Sequence, residues 1–582
     1  MTSYFSLTML GLILPGTAVA YQVMPRRARW AALLAASYVT FWAISGKLLA
    51  FLLASTVTIW LCGLALDREI KQRGEALRAP GANRKAVKQS YARRMRLIMA
   101  AGAAVNLGML FAFKYVVFAH RLLAPLAAPL LTHLGIGWAA PAAIAAPIGI
   151  SFYTLQAVSY LVDVYRQSVT ADRNLCRLAL FMAFFPQIME GPICRYGQTA
   201  QALWAGHGIT WENLVSGSQR ILWGAAKKLI VADRVNLLVK TVFASYESYD
   251  GGIIALAAVL YTIQLYCDFS GTMDFVVGTG RIFGVRLPEN FRQPFFSRTA
   301  SEFWQRWHIT LGTWFRDYVF YPVSLSKPVK RLTTSARHLL GNRMGPVAAS
   351  GVALLAVWLG NGLWHGAGGQ YVLFGLFWFT IIWLGGFAEP IAQSICERLG
   401  IDRSALPYRA FQHARTLVIV FCGELIFRAD GGWAALGMLK RLFSQFSLAS
   451  FADGTAFKLG MDGADFACVG IAIAVLFVVG LLRERAQHDL AASATPAGHA
   501  GTPAAAIANT AATRFALAWW QNFNVRWVLG CALILAIVVF GAYGTGLCSR
   551  RPHVRIVLAS ISTGRQQVLP GTTAADRRSH AS

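Results

Sequence analysis

Two histidines lie in apolar parts of the sequence, and both could carry proton-transfer chemistry. His365 follows an apolar run that begins near Pro346, in the glycine-rich segment 361–369. Residues 346–359 would rise about 21 Å as a helix, so we expect His365 deep in an apolar layer, where the glycines allow close approach of backbone or ligand. A neutral imidazole there is a good general base for a hydroxyl or thiol. The structural alternative is a core histidine bonded to a carbonyl.

His308 is the second candidate, and it lies in the aromatic segment 301–318. Trp304, Trp307 and Leu311 recur with it at helical spacing, which predicts one aromatic face of a continuous helix, with Asp317 on the opposite face. An amphipathic interfacial helix, in which His308 only packs, is the structural alternative.

Other ionisable side chains interrupt apolar runs and could be structural or functional. Asp268 and Asp274 could pair with nearby basic residues or orient a histidine, and we favour pairing. Glu424 has the same two interpretations, and Lys114 is expected to snorkel from the end of its span. Glu190, beside two prolines, lies either in a plain loop or in the lining of a cavity.

The composition indicates what kind of secondary structure holds these residues in place. Only 14% of the 582 residues are charged, against about 25% in soluble domains, and the mean hydropathy is +0.48. Apolar runs near 20 residues recur, which excludes a soluble enzyme, a disordered chain and a fibrous protein. We predict an all-α polytopic membrane protein with roughly ten to twelve membrane segments. Some of these segments are irregular, and we expect them to be re-entrant or interfacial. Because irregular backbone is tolerated in a membrane only where protein buries it or where it lines a cavity, these segments indicate a central cavity.

The net charge of +28 comes from clusters between the apolar runs, and not from a nucleic-acid-binding surface. Residues 67–96 hold ten Lys or Arg against three acids, and residues 281–343 hold eleven against three. This is the distribution that the positive-inside bias produces, so we expect no nucleic acid as a partner. The nine cysteines form no CxxC pair, so neither a metal site nor a disulfide framework is predicted.

The chain divides by composition into a membrane core and an unusual C-terminal part. We assign residues 1–483 to the core, with a retained first span near residues 4–24. Residues 484–525 are a low-complexity cytoplasmic loop, and residues 526–547 are the last span. Residues 548–582 form a basic tail, for which disorder near anionic lipid and a frameshifted terminus are both hypotheses.

Several motifs together resemble the signature of the membrane-bound O-acyltransferase (MBOAT) family. Their order and spacing match over roughly residues 30–440, and they look most like the bacterial branch of alginate O-acetylation and teichoic-acid D-alanylation. The insertion at 488–513 and the tail depart from the family pattern, and we hypothesise a frameshift near residue 546. The matching motifs are Gly149-Ile150-Ser151-Phe152-Tyr153, Gly191-Pro192, Asp268-Phe269-Ser270-Gly271, Pro288-Glu289-Asn290-Phe291, Trp307-His308, Phe315-Arg316-Asp317-Tyr318 and Trp364-His365-Gly366.

The resemblance implies many helices around a funnel, and an acyl group that crosses the membrane from a cytoplasmic donor to an outside acceptor. It implies that His365 and His308 are the catalytic pair. The expected substrate-binding residues are Asp268, Trp307, Arg316, Asp317, Asn361 and Trp364.

No tightly bound cofactor is expected. The donor would be acetyl-CoA or an acyl carrier protein thioester. The acceptor would be an exported polysaccharide or a periplasmic acyltransferase, reached from a bacterial inner membrane. We favour acetyl over D-alanyl transfer. An exporter without chemistry and a scaffold subunit that recruits a periplasmic acyltransferase are the competing hypotheses.

Overall fold

The structure is a computed structural model that describes residues 4–133, 146–493 and 523–541. It is 83% helical, and the described residues form no strand, so the all-α prediction is confirmed. One isolated antiparallel bridge joins Phe291 to Trp307. Most of the predicted loop 484–525, the end of the span 526–547 and the whole tail 548–582 lie outside the described residues.

The first ten helices occupy the N-terminal half of the chain. A π-helical turn, Met9–Ile13, leads into the first helix, and another, Lys227–Ala232, joins the ninth to the tenth. The helices are α1 Leu14–Val23, α2 Arg29–Ser45, α3 Leu49–Arg78, α4 Arg84–His133, α5 Ile150–Tyr165, α6 Leu175–Ala183, α7 Phe185–Ile188, α8 Tyr196–Trp204, α9 Trp211–Ala226 and α10 Asp233–Ala244.

The remaining eleven described helices include α15, which ends at His365, and the pair α12 and α13, which flank His308. The long α15 is kinked at Gly341, where φ is +77°. The helices are α11 Gly251–Ile282, α12 Ala300–Arg306, α13 Ile309–Phe315, α14 Tyr321–Ser324, α15 Lys327–His365, α16 Gly369–Arg398, α17 Leu406–Arg428, α18 Gly432–Ser444, α19 Ala449–Ala452, α20 Gly463–Ser493 and α21 Phe523–Phe540.

Seven stretches of the described chain are helical, long and apolar enough to cross a membrane. They are Arg26–Arg78, Arg84–His120, Gly251–Ile282, Lys327–His365, Gly369–Arg398, Leu406–Arg428 and Gly463–Ala486. The first contains two helices, α2 and α3, which are separated at Gly46, where φ is +53°. Other described apolar helices are shorter, such as α5 and the pair α6 and α7. The protein is therefore an all-α, multi-pass membrane protein.

Facing glycines bring α9 and α11 into backbone contact. A Cβ on Gly217 would lie 2.6 Å from the carbonyl oxygen of Gly278, and a Cβ on Gly224 would lie 2.4 Å from that of Gly271. Each helix carries its two glycines seven residues apart, so they fall on one face of an antiparallel pair. In lipid there is no hydrophobic driving force between helices, so the van der Waals packing that this close approach allows stabilises the pair.

The interface between α9 and α11 also contains buried charge. Lys227 Nζ lies 2.5 Å from Asp274 Oδ2, and Arg220 Nε lies 3.0 Å from Asp274 Oδ1. Lys228 pairs with Asp268 at 2.9 Å. The preference for ion pairing by both aspartates is therefore confirmed. The pairs satisfy charges that would otherwise be isolated among apolar helices.

Candidate functional site

His365 ends α15 and has a chemically available side chain. Gly366 follows with an extended backbone, which stops the helix. The imidazole is half-buried, and it contacts the rings of Trp364 and Phe427 edge-on, with centroids 4.8 Å away in each case. Neither ring nitrogen hydrogen-bonds to any residue that the structure describes. His365 is therefore held by aromatic packing while both nitrogens remain free for a substrate.

Two side chains of α4 hold the end of α15 in place. Lys114 Nζ donates to the carbonyl of Trp364 and lies 3.5 Å from that of His365, and Tyr115 Oη donates to the carbonyl of Leu363. The last carbonyls of a helix lack intrahelical donors, and a cation at that end also matches the helix dipole. The prediction that Lys114 snorkels is wrong, because these carbonyls offer its ammonium group closer partners. The hydropathy pattern gave no signal for this role.

His308 lies between two helices, and not inside one. Its backbone is left-handed, with φ +47° and ψ +48°, and it separates α12 from α13. The predicted continuous helix over 301–318 is therefore wrong. Asn290 explains the break, because its carbonyl accepts from Ile309 N–H at 3.0 Å and its side-chain Oδ1 accepts from Thr310 N–H at 3.0 Å. These tertiary hydrogen bonds replace helical ones across the break.

The surroundings of His308 determine its protonation. Nδ1 of His308 lies 3.4 Å from Asn290 Oδ1, which also accepts from the Thr310 hydroxyl. Asn290 Oδ1 is an amide oxygen, so it can accept a hydrogen bond but cannot donate one. We therefore assign the proton to Nδ1, which leaves Nε2 as a hydrogen-bond acceptor. The side chain is 4% exposed, and burial lowers its pKa to about 3. His308 is thus a neutral imidazole with one free lone pair.

Trp364 lies between the two histidines and connects them. Its ring centroid is 5.9 Å from that of His308 and 4.8 Å from that of His365. Its indole Nε1 donates to the carbonyl of Ser151 at 3.1 Å, and Phe152 packs against its ring. The structure therefore brings together three of the predicted site residues, although they come from separate parts of the sequence.

The other predicted residues lie at different distances from this centre. Asn361 is buried one helical turn before His365, and its Oδ1 has no hydrogen-bond partner among the described residues. Trp307 packs away from the histidines, against Phe291 and Phe303, with ring centroids 5.1 and 5.3 Å away. Asn361 thus remains available to a ligand, whereas Trp307 fills an aromatic core.

Asp268 belongs to a charge cluster that does not contact either histidine. Its carboxylate is 44% exposed and pairs with Lys228, which also pairs with Asp233 at 3.0 Å. Glu190 lies near this group, where desolvation by the surrounding protein, together with the Asp268 charge, raises the pKa of its carboxyl group. The connection to His308 runs through the next residue, Phe269, whose ring centroid lies 4.8 Å from the imidazole.

Arg316 and Asp317 form a separate ionic group in the π-helical turn after α13. Arg316 Nε donates to Asp317 Oδ1 at 2.9 Å, and Arg195 reaches Asp317 Oδ2 at 3.3 Å. Neither residue contacts His308 or His365 in the described part of the chain. The family resemblance implied a shared site, but the Asp317 carboxylate pairs with Arg195 and Arg316 instead, and Arg166 donates to the backbone carbonyl of Asp317.

A cavity of about 510 Å³ opens beside His365. Tyr371 and Phe427, whose rings face the imidazole, form part of its wall. Lys240, Arg428 and Asp430 add charge, and Phe243, Ala244, Tyr261, Gln370 and Ala429 complete the lining. Sequence reasoning missed this group, although Arg428 and Asp430 do mark the end of an apolar run. The described residues contain no cluster of three or more His, Cys, Asp or Glu side chains suited to a metal ion.

Comparison with known proteins identifies relatives of this chain. The family model of the membrane-bound O-acyltransferases matches residues 166–340. A probable alginate O-acetylase of Azotobacter vinelandii is 31% identical over 484 residues, which cover 82% of this chain and 85% of the relative. A probable alginate O-acetylase of Pseudomonas syringae pv. tomato is 34% identical over 336 residues. The teichoic acid D-alanyltransferase of Bacillus subtilis is 30% identical over 247 residues.

The extent of the match differs between these relatives. The chain spans 58% of the length of the Pseudomonas protein, and 58% of this chain is matched. For the Bacillus protein, the shares are 59% of the relative and 42% of this chain. The alignment with the Azotobacter protein covers 82% of this chain. A continuous alignment of that length includes His308 and His365 wherever it begins. This chain belongs to the membrane-bound O-acyltransferase family.

Proposed function

We propose that the protein is an O-acyltransferase that moves an acyl group, acetyl in the first instance, from a thioester to a hydroxyl. The observation that carries this proposal is the His365 imidazole, which has both nitrogens free and packs against Tyr371 and Phe427, two residues that line a cavity. A general base must reach the proton that it removes, and an available ring nitrogen meets this requirement. The family membership and the alginate O-acetylase relatives agree with it.

The proposed reaction is a single acyl transfer. His365 accepts the proton of the acceptor hydroxyl as its oxygen attacks the thioester carbonyl. The new carbon–oxygen bond forms, the carbon–sulfur bond breaks, and the leaving thiolate takes the proton back from the imidazolium. The aromatic rings around His365 exclude water, which would otherwise hydrolyse the thioester.

His308 is proposed to position the donor. A neutral imidazole whose Nδ1 proton faces Asn290 has no N–H left to polarise the thioester oxygen. Its free Nε2 can instead accept a hydrogen bond from an amide N–H of the donor arm. Trp364, which touches both imidazoles, would then separate the donor side from the acceptor side.

The distribution of charge supports an inside donor and an outside acceptor. The start of α15 carries Lys327, Lys330 and Arg331, whereas its other end carries His365. The end of α16, the turn after it and the start of α17 carry Arg398, Arg403 and Arg409, so these ends are assigned to the cytoplasm. We propose acetyl-CoA or an acyl carrier protein as the donor, since either carries anionic phosphate to this basic face. The acceptor would be an exported polysaccharide or a periplasmic partner, across a bacterial inner membrane.

Ester analysis of the cell envelope tests the proposal. A deletion strain is complemented with the wild type, with His365→Ala or with His338→Ala, and esters released by mild base are measured by mass spectrometry. His338 is the matched control, because it is an exposed histidine at the basic end of the same helix. We expect acetate to be lost with His365→Ala alone, at equal protein abundance.

The same assay separates the competing functions. Release of D-alanine in place of acetate would support a D-alanyl donor, as the resemblance to the Bacillus teichoic acid D-alanyltransferase allows. Full ester content with His365→Ala would contradict the proposal and favour an exporter or a scaffold subunit, since neither needs a general base.

A further inference from the structure

A narrow crevice separates α20 from α21 beside the end of α9. It extends from Cys468 to Leu476 along α20 and from Leu533 to Phe540 along α21, and its volume is about 240 Å³. The end of α9 and the π-helical turn after it form the floor, where Lys227 is the one charged residue of the lining among the described residues. The crevice shares no lining residue with the cavity beside His365, so it is a separate site.

Contacts along α20 and at the end of α21 keep the crevice open. Near the start of α20, Asp465 pairs with Arg234 of α10, whose guanidinium also donates to the carbonyl of Phe540. Further along α20, the ring of Phe477 stacks on that of Phe296, with centroids 5.4 Å apart. These contacts fix where the two helices lie, so the gap between them is part of the fold.

The crevice opens towards the hydrocarbon layer of the membrane. α20 is long and apolar enough to cross a membrane, and α21 is a shorter apolar helix. Ile471 and Val475 line the crevice and are 68% and 48% exposed, so they lie at its mouth, against lipid. The ammonium group of Lys227 bonds to Asp274 and Ser270 of α11, which leaves its methylene stem to line the crevice. An occupant must therefore be apolar.

The dimensions of the crevice select a single hydrocarbon chain. The helix from Cys468 to Leu476 rises about 12 Å, which is close to the ~15 Å of hydrocarbon in one leaflet. A volume of about 240 Å³ over that length gives an average cross-section of about 20 Å². An α-helix with its side chains is about 10 Å wide, which corresponds to a cross-section of about 80 Å². The crevice is therefore too narrow for a helix of a partner protein or of a second copy.

We propose that the crevice between α20 and α21 binds one acyl chain of a membrane phospholipid, with the headgroup at the Phe540 end. Both helices reach an end there, because α20 begins at Gly463, five residues before Cys468, and α21 ends at Phe540. The bound chain covers the stem of Lys227 and shields its ion pair with Asp274 from the lipid side. The inference does not depend on acyl transfer, since the site is separate from His365.

Native mass spectrometry of the full-length chain in a mild detergent tests the proposal. We expect a complex with one molecule of palmitoyl-oleoyl-phosphatidylcholine, and also with palmitoyl-lysophosphatidylcholine, which has a single chain. Dihexanoyl-phosphatidylcholine has the same headgroup, but its short chains fill only part of the crevice, so it should bind far less. Equal binding of the short-chain lipid, binding of detergent only, or a second protein chain in the complex would overturn the assignment.

Matched variants locate the bound chain. Ala472→Phe and Ala536→Phe each place a ring in the crevice, so the ratio of lipid-bound to free protein should fall about tenfold or more, because overpacking opposes binding. Ala474→Phe is the control, since it adds the same ring at an exposed position of α20 outside the lining, and it should bind lipid as the wild type does. Unchanged binding in both crevice variants, or an equal loss in the control, would refute the site.

Two native cysteines give a second measurement that needs no substitution. Cys468 lines the crevice, whereas Cys531 is exposed on α21 outside the lining. Palmitoyl-oleoyl-phosphatidylcholine added to the delipidated protein should slow alkylation of Cys468 by N-ethylmaleimide about fivefold at a few times its dissociation constant, and leave Cys531 unchanged. Peptide mass spectrometry measures both rates. An unchanged rate at Cys468, or equal slowing at both cysteines, would contradict the proposal.

Discussion

The ion pair between Lys227 and Asp274 gives the sharpest test of how the helices are held together. Lys227 Nζ lies 2.5 Å from Asp274 Oδ2 and also donates to Ser270 Oγ at 2.7 Å. The two charged side chains are 6% and 10% exposed. The substitution Asp274→Asn keeps the shape of the side chain but removes its charge. It leaves the Lys227 ammonium group buried without an anion.

The expected loss follows from what remains around each cation. Removal of one partner of a buried pair destabilises a protein by about 3–5 kcal/mol. Arg220 also loses Asp274, but it keeps Glu289, to which two of its nitrogens donate. Lys227 keeps only Ser270 and the ring of Tyr266, whose centroid lies 5.6 Å away. We therefore expect Asp274→Asn to lower the free energy of unfolding by about 3 kcal/mol.

A double variant tests the cause of that loss. Lys227→Met combined with Asp274→Asn removes the orphaned charge, so it should recover most of the lost stability, since apolar replacements of buried pairs are often neutral. Unfolding is followed by circular dichroism as SDS is added to the protein in mixed micelles. A single variant within about 1 kcal/mol of the wild type would refute the reasoning. So would a double variant that is less stable than Asp274→Asn.

Three further predictions concern packing, protonation and positioning. Gly224→Leu should separate α9 from α11 and lower the thermal midpoint, because even a Cβ there lies 2.4 Å from a backbone oxygen, whereas Gly108→Leu, which faces open space, should not. His308 should make the protein acid-sensitive. The unfolded chain binds its proton below about pH 6.5 and the folded chain only near pH 3, so the free energy of unfolding should fall by about 2 kcal/mol from pH 6.5 to 5. His308→Gln should remove this dependence in a pH series of unfolding curves, and an unchanged series would contradict it. Lys114→Met should reduce ester formation about tenfold at normal abundance by releasing the end of α15, and Lys114→Arg should restore part of it. Full activity in Lys114→Met would show that the clamp is dispensable.

The local sequence was sufficient for the fold class, and it marked His365 as a candidate for proton-transfer chemistry. Apolar runs with few charges can only be satisfied in lipid as helices, so the all-α architecture followed from composition and length. An ionisable side chain inside such a run is costly, and this alone marked His365, Asp268 and Asp274. The ion pairing of both aspartates followed from the same argument, since a charge in an apolar layer needs a partner.

Helical periodicity was misleading at His308 because it records only which residues could share a face. The pattern over 301–318 fits a continuous helix, but Asn290, eighteen residues earlier, offers hydrogen bonds that stabilise a left-handed residue at the break. Arg316 and Asp317 were expected near the site because of the family resemblance. They lie in a π-helical turn, where the Asp317 carboxylate pairs with Arg195 and with Arg316 instead. A local sequence pattern carries no information about residues far along the chain that form hydrogen bonds or ion pairs with its backbone and side chains.

The sequence by itself determined that this is a helical membrane protein with a histidine at the glycine-rich end of a long helix, because hydropathy and charge act on each residue independently of its neighbours in space. Only the tertiary structure decided that Trp364 joins two histidines, that Lys114 holds the end of α15, and that Arg428 and Gln370 line one cavity. These relations depend on which helix packs against which. That choice is made by close contacts, such as the facing glycines of α9 and α11, whose partners are far apart in the chain.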